Sequence, residues 1–203
     1  MHDTSVIILN GTSSSGKTSI ALELQNRIEE IYCIYSRDVF QSMFPGHIWT
    51  DNELMRTIGP SMFRGFHNSI ATFAEAGNRV IVDHVLNRQE WVYDCAEALS
   101  GIKTILIGVK CPLDVAEERE RVRGDREIGL VRSQYDVVHM HNLYDLEVDT
   151  SKHRAGECAD MIIERMKVGD FTALTAIRAN NSLNPTGASG AARSRSLGRG
   201  PAG

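Results

Sequence analysis

Gly11-Thr12-Ser13-Ser14-Ser15-Gly16-Lys17-Thr18 decides the fold. The stretch fits G-x-x-x-x-G-K-[ST], the spacing of a phosphate-binding loop, or Walker A motif. Ser5-Val-Ile-Ile-Leu9 before it reads as a short apolar strand, and Ser19-Ile-Ala-Leu-Glu-Leu-Gln25 after it as a helix. Strand, loop and helix in that order are the setting the motif needs. Gly11 and Gly16 permit a tight turn whose backbone N–H groups face phosphate oxygens. The start of the following helix adds a favourable dipole. Lys17 is spaced to reach the β- and γ-phosphates of a nucleotide, and the Thr18 hydroxyl to bind Mg²⁺. The whole run from Gly11 to Thr18 is therefore the candidate ATP site.

Working outward, apolar runs alternate with helical patterns, which predicts an α/β fold with a parallel sheet covered by helices on both faces. Strands are expected at 5–10, 31–36, 79–84, 103–110 and 145–149. Helices are expected near 17–29, 60–76, 88–99, 112–122, 129–142 and 153–167. In the second of these, Phe63, Phe66, Ile70 and Phe73 recur on one face, with Pro60 in the first turn and Gly77 at the C-terminal cap. The pattern decays beyond about residue 167. That predicts one domain over 1–170 and a C-terminal tail over 171–203 that stays disordered. From residue 180 the tail has three arginines, no acid and mostly Asn, Ser, Gly, Ala and Pro.

The chain has 203 residues and a formal net charge of −4, which gives no basic footprint for nucleic acid. No apolar run approaches a membrane span, and the N-terminus lacks the pattern of a signal peptide. Cys33, Cys95, Cys111 and Cys158 are scattered without a C-x-x-C pair, so free thiols in a cytoplasmic protein are expected. Homo-oligomerisation stays open.

Ligands of open α/β sheets sit outside the carboxyl ends of the strands, so the polar residues there are the candidates for chemistry. The second strand ends in Ser36-Arg37-Asp38. Asp38 could take the proton of an attacking hydroxyl, or it could cap the short helix that follows. Arg37 could hold a substrate or face solvent. The third strand ends in Asp83-His84. Asp83, after an apolar run, is placed to bind Mg²⁺ or to act on the acceptor, or it could serve as a structural cap. His84 reads as a partly buried histidine with a partner more readily than as an acid/base group. Arg119-Glu-Arg-Val-Arg123-Gly-Asp-Arg126 follows the fourth strand. Glu117 and Arg121 can pair along a helix, whereas Gly124 breaks it. Arg123 and Arg126 then read as a lid closing over the triphosphate, with Arg132 a weaker candidate. Thr150-Ser-Lys152 would lie beside the phosphate loop, where an adenine could rest. The aromatics between Phe40 and Pro60 read as satellite core or as the wall of an acceptor pocket. His139 and His141 lack metal spacing and read as helix-surface residues.

Taken together, Leu9-Asn-Gly-Thr-Ser-Ser-Ser-Gly-Lys-Thr18, Asp38, Val80-Ile-Val-Asp83, Arg123-Gly-Asp-Arg126, Tyr135-Asp-Val-Val-His139 and Tyr144-Asp-Leu-Glu-Val-Asp-Thr150 resemble the chloramphenicol phosphotransferase family. The resemblance runs from about Val6 to Ile163. It implies a P-loop kinase-like three-layer sandwich with strand order 2-3-1-4-5. It implies an ATP- and Mg²⁺-dependent enzyme that phosphorylates a hydroxyl of a small molecule, above all an antibiotic, with Asp38 as general base and Arg123 and Arg126 in the lid. The family's chloramphenicol enzyme carries two acids where this chain has Asp83-His84. A kinase acting on a metabolite, nucleotide or nucleotide-sugar, and an ATP-binding switch, are the alternative readings.

Overall fold

The computed structural model describes residues 4–124 and 127–183. Five strands form one sheet: β1 (Val6–Asn10), β2 (Tyr32–Ser36), β3 (Arg79–His84), β4 (Thr104–Lys110) and β5 (Leu146–Asp149). Their spatial order is β2-β3-β1-β4-β5 and every pairing is parallel. The expected order and class are the observed ones.

β1 sits at the centre of the sheet and is buried along its whole length. Val6 and Ile8 pack into one core with Phe63, Phe66 and Ile70, while Ile7 and Leu9 pack into the other with Ile20, Leu24 and Ile162. Both faces of the strand are covered, which is why its sequence is a continuous apolar run and not an alternating one. The first face carries α3 (Asn52–Glu75), α4 (Gln89–Ala98) and α8 (Ala173–Leu183); the second carries α1 (Lys17–Arg27) and α7 (Ala155–Val168). Between them in the chain lie α2 (Arg37–Ser42), a 3₁₀ turn at Gly46–Trp49, α5 (Leu113–Arg123) and α6 (Leu130–Tyr135).

Three boundaries and the placement of Phe73 differ from expectation. α3 begins at Asn52, where the Asp51 carboxylate accepts from the N–H groups of Glu53 and Leu54, so Pro60 lies inside the helix. The apolar face extends back through buried Gly59 to Met55, and that burial sustains the helix across the missing donor at Pro60. Phe73, assigned to this face, is 40% exposed. The helix expected over 129–142 stops at Tyr135 and continues as turns. Finally, the chain is helical at 173–183, inside the stretch expected to be a disordered tail. Asp145 accepts from the N–H groups of Thr172 and Ala173, and Leu174 and Ile177 enter the first core. That cap comes from a residue distant in sequence, so no local pattern announces it. Residues 184–203 lie outside the described residues. The cysteines are free thiols, and among the described residues no helix is long and apolar enough to cross a membrane.

Candidate active site

The loop between β1 and α1 is shaped by contacts that side chains cannot share. A Cβ on Gly11 would stand 2.5 Å from the Val109 carbonyl oxygen, so β4 admits only glycine there. Gly16 caps α1 with φ 95°, and Ser14 also takes a positive φ of 57°. Thr12, Ser15 and Lys17 are buried. The Lys17 ammonium folds back to donate to the Thr12 carbonyl at 2.6 Å. The Ser14 and Ser15 hydroxyls are buried without a hydrogen-bond partner among the described residues. Of the two, Ser14 lines the cleft above the loop, where an unanswered donor suits an oxyanion.

Asp83, at the end of β3, reaches this loop. Its carboxylate accepts from the Thr18 hydroxyl at 2.5 Å and lies 3.8 Å from the Lys17 ammonium. Two hard oxygens meeting beside the loop suit a divalent ion such as Mg²⁺, which takes few protein ligands and completes its shell with phosphate and water. Among the described residues there is no cluster of three or more His, Cys, Asp or Glu side chains for a metal held by protein alone.

A cleft of about 800 Å³ opens over the loop. Ser13, Ser14, Gly16, Lys17 and Thr18 form its floor, with Asp83 beside them. Gly11, Thr12 and Ser15 lie beneath and do not line it. Asp38 lines the cleft from α2, as do Arg37 and Gln41. The N-cap of α2 is Ser36, whose hydroxyl accepts from the Asp38 N–H at 3.2 Å, so the capping role open to Asp38 belongs to another residue. Arg123, at the end of α5, lines the opposite wall, and Gly124 ends that helix in the left-handed region, φ 66°. Arg126 lies outside the described residues.

Other candidates fall elsewhere. His84 is fully buried and does not line the cleft. Its Nδ1 accepts from the Val85 N–H at 2.8 Å, so its proton sits on Nε2, 2.9 Å from Nε2 of His67. Burial holds both rings neutral, with His67 pushed down to about 4. Arg132 pairs with Glu117 at 2.7 Å, and Arg121 pairs with Glu118 in place of Glu117. Phe40 and Phe44 stack on Phe66 and Trp49 and do not line the cleft, which is the satellite-core reading. His139 and His141 are not surface residues of a helix. His139 Nδ1 meets the Tyr144 hydroxyl at 2.6 Å, and that hydroxyl also accepts from Asn10 at 2.8 Å. Burial lowers His139 to about 3 and His141 to about 4.

The sequence reading missed several residues. Arg119 donates to both the hydroxyl and the carbonyl of Thr150, at 2.9 and 2.8 Å, and Thr150 donates to the Ser15 carbonyl at 2.8 Å. This chain of bonds ties α5 and the loop after β5 to the phosphate-type loop, beside which Thr150–Lys152 line the cleft. Buried Glu120 accepts from the N–H groups of Gly129 and Val131, both at 2.9 Å, and so ties α5 to the start of α6. Gln134 accepts from the Ser13 N–H at 2.7 Å. Arg119 and Glu120 stand in a charged helical run where spacing alone does not separate them from a solvated face.

Residues 4–167 match the family model described as chloramphenicol phosphotransferase-like protein. The chain belongs to that family. It is accordingly an enzyme, a kinase-type O-phosphotransferase of small molecules that draws on ATP. A Mycobacterium tuberculosis protein named "Putative O-phosphotransferase" is 29% identical over 181 residues, covering 78% of this chain and 80% of that one. Among solved structures, a sugar kinase from Janibacter shares 18% identity over 86% of this chain and 98% of its own, with a TM-score of 0.61. The Mycobacterium tuberculosis APS kinase in complex with AMPPNP and APS shares 16% identity over 81% of this chain and 98% of its own, with a TM-score of 0.59. At that identity the two structures show the fold that this member of the chloramphenicol phosphotransferase-like family shares with other kinases.

Proposed function

We propose that this cleft transfers the γ-phosphoryl of ATP to a hydroxyl of a small molecule of antibiotic size, with Asp38 as the general base. The observation that carries the reading is the convergence of Lys17, the Thr18–Asp83 pair and Asp38 on one cleft. The loop N–H groups and Lys17 hold the β- and γ-phosphates, and releasing Lys17 from the Thr12 carbonyl exchanges a neutral partner for a charged one. Thr18 and Asp83 hold Mg²⁺, which when bound neutralises charge on the transferring phosphoryl group. Arg123, with Arg126 from the lid, adds positive charge where the transition state accumulates negative charge. Thr150–Lys152, fastened by Arg119, border the adenine. Asp38 takes the hydroxyl proton and aims the oxygen, and in a loose transition state aim contributes as much as proton removal. That the APS kinase, of the same fold, was captured with AMPPNP supports a nucleotide in the corresponding cleft.

Lys17→Ala tests the donor half. Titration of Mg·ATP by calorimetry should show affinity reduced by about tenfold or more, at the scale of one charge-assisted contact, while circular dichroism stays unchanged. Unaltered affinity would remove this loop from the nucleotide site.

A further inference from the structure

The acceptor side of the cleft carries a permanent cation next to the proposed base. Arg37, Asp38 and Gln41 line it together from α2, so one short helix presents a guanidinium, a carboxylate and an amide to one space. Arg37 is not a solvated surface arginine. Its guanidinium carbon lies 5.2 Å from the Phe63 ring centre and 5.3 Å from that of Trp91. Those rings are themselves packed with centres 3.8 Å apart, and both are buried. Arg37 thus sits astride a stacked aromatic pair, which locates its charge by cation–π attraction and costs little further ordering when a ligand arrives. Its charge reaches inward, since it is one of the causes holding His84 neutral.

From this arrangement we infer that the acceptor bears an oxyanion, a carboxylate or a phosphate, on the same small molecule as the reacting hydroxyl, with Arg37 as the residue that recognises it. The inference rests on the kinase reading above and adds the substrate class to it. A planar guanidinium fits a carboxylate or phosphate by paired N–H donors and opposite charge, whereas a neutral acceptor group offers it neither the charge nor the matched pair of oxygens. Both side chains line the one cleft of about 800 Å³, so a single small molecule held there can meet both. With the anion held at Arg37, the hydroxyl stands a few bonds away beside Asp38, and Gln41 is available to a further polar group. Recognition of this kind selects among hydroxylated compounds by charge before shape.

The test uses acetate and glycerate as probes, with acetamide and glyceramide as neutral controls. Binding is read by ligand-observed NMR at constant ionic strength, with and without saturating Mg·AMPPNP to fill the phosphate loop. The two carboxylates should bind saturably and the amides should not. Arg37→Gln should weaken carboxylate binding by about tenfold or more, the scale of a hydrogen bond to a charged group, and Arg37→Lys by less. AMPPNP affinity should not change in either variant. Carboxylates that fail to bind the parent protein, or bind equally well to Arg37→Gln, would overturn the inference. So would weaker AMPPNP binding in Arg37→Gln, which would turn Arg37 toward the γ-phosphate. Failure of AMPPNP to bind the parent protein would instead contradict the kinase reading, and the probe titrations without nucleotide would still decide on Arg37.

Discussion

Asp38 illustrates what one position needs from its neighbours. Because Ser36 caps α2, the Asp38 side chain is directed to the cleft without leaving the helix start unserved. Sequence alone left cap and base equally open, since Asp suits both. The histidines show the opposite limit. Composition treats them as polar, yet His67, His84, His139 and His141 are held neutral by burial, three of them at about 3 to 4. Their titration belongs to the unfolded chain, whose histidines protonate near pH 6.5. Between pH 6.5 and about 4 the unfolded state binds more protons than the native one, so native stability falls as pH falls through that window. The free energy of urea unfolding should be highest above pH 7 and fall on acidification to pH 5 by on the order of 1 kcal/mol per histidine, the midpoint falling with it. A midpoint constant over that range would contradict the neutral, buried state of these rings.

Whole elements were legible where their signals are local. The glycine-rich loop, the apolar strands and the break at Gly124 all lie in windows of a few residues, and each was found where expected. What was not legible depends on partners remote in the chain. Pro60 suggested a helix start, but the burial of Gly59 and Met62 carries α3 through it. α8 has no sequence-local cap, because its N-terminus is held by Asp145 from the start of the β5 segment. Arg178 then fastens it to the Ala96 carbonyl of α4 at 2.8 Å. It follows that Asp145→Ala should lower stability by about 1–2 kcal/mol, measured by urea unfolding, since two helix N–H groups lose their acceptor and Leu106 N–H loses a third contact. Truncation after residue 170 should cost more, because it uncovers the core around Ile177, while truncation after residue 183 should be neutral. Equal stability of the chain ended at 170 and at 183 would show that α8 adds nothing to the fold.

At the scale of the molecule, sheet order and site are one fact. With β1 central and β3 and β4 on either side, the phosphate-type loop, Asp83 and the loop leading to α5 emerge at one edge. β2, beyond β3, delivers Arg37 and Asp38 to one wall, and β5, beyond β4, delivers Thr150 to the other. The two walls of the cleft are thus set by strand order, with α5 on the side toward β5. On the function proposed above, Asp38 acts on the acceptor while the loop holds ATP. Asp38→Asn preserves size and removes only the capacity to take a proton. Phosphoester formation from Mg·ATP, followed by phosphorus NMR with a panel of hydroxylated antibiotics and hydroxy acids, measures both halves when paired with ATP titration. The account predicts a phosphomonoester made by the parent protein and a rate lowered about a hundredfold or more in Asp38→Asn, at unchanged ATP affinity. A variant that forms the phosphoester at the parental rate, or that loses ATP binding along with turnover, would contradict it.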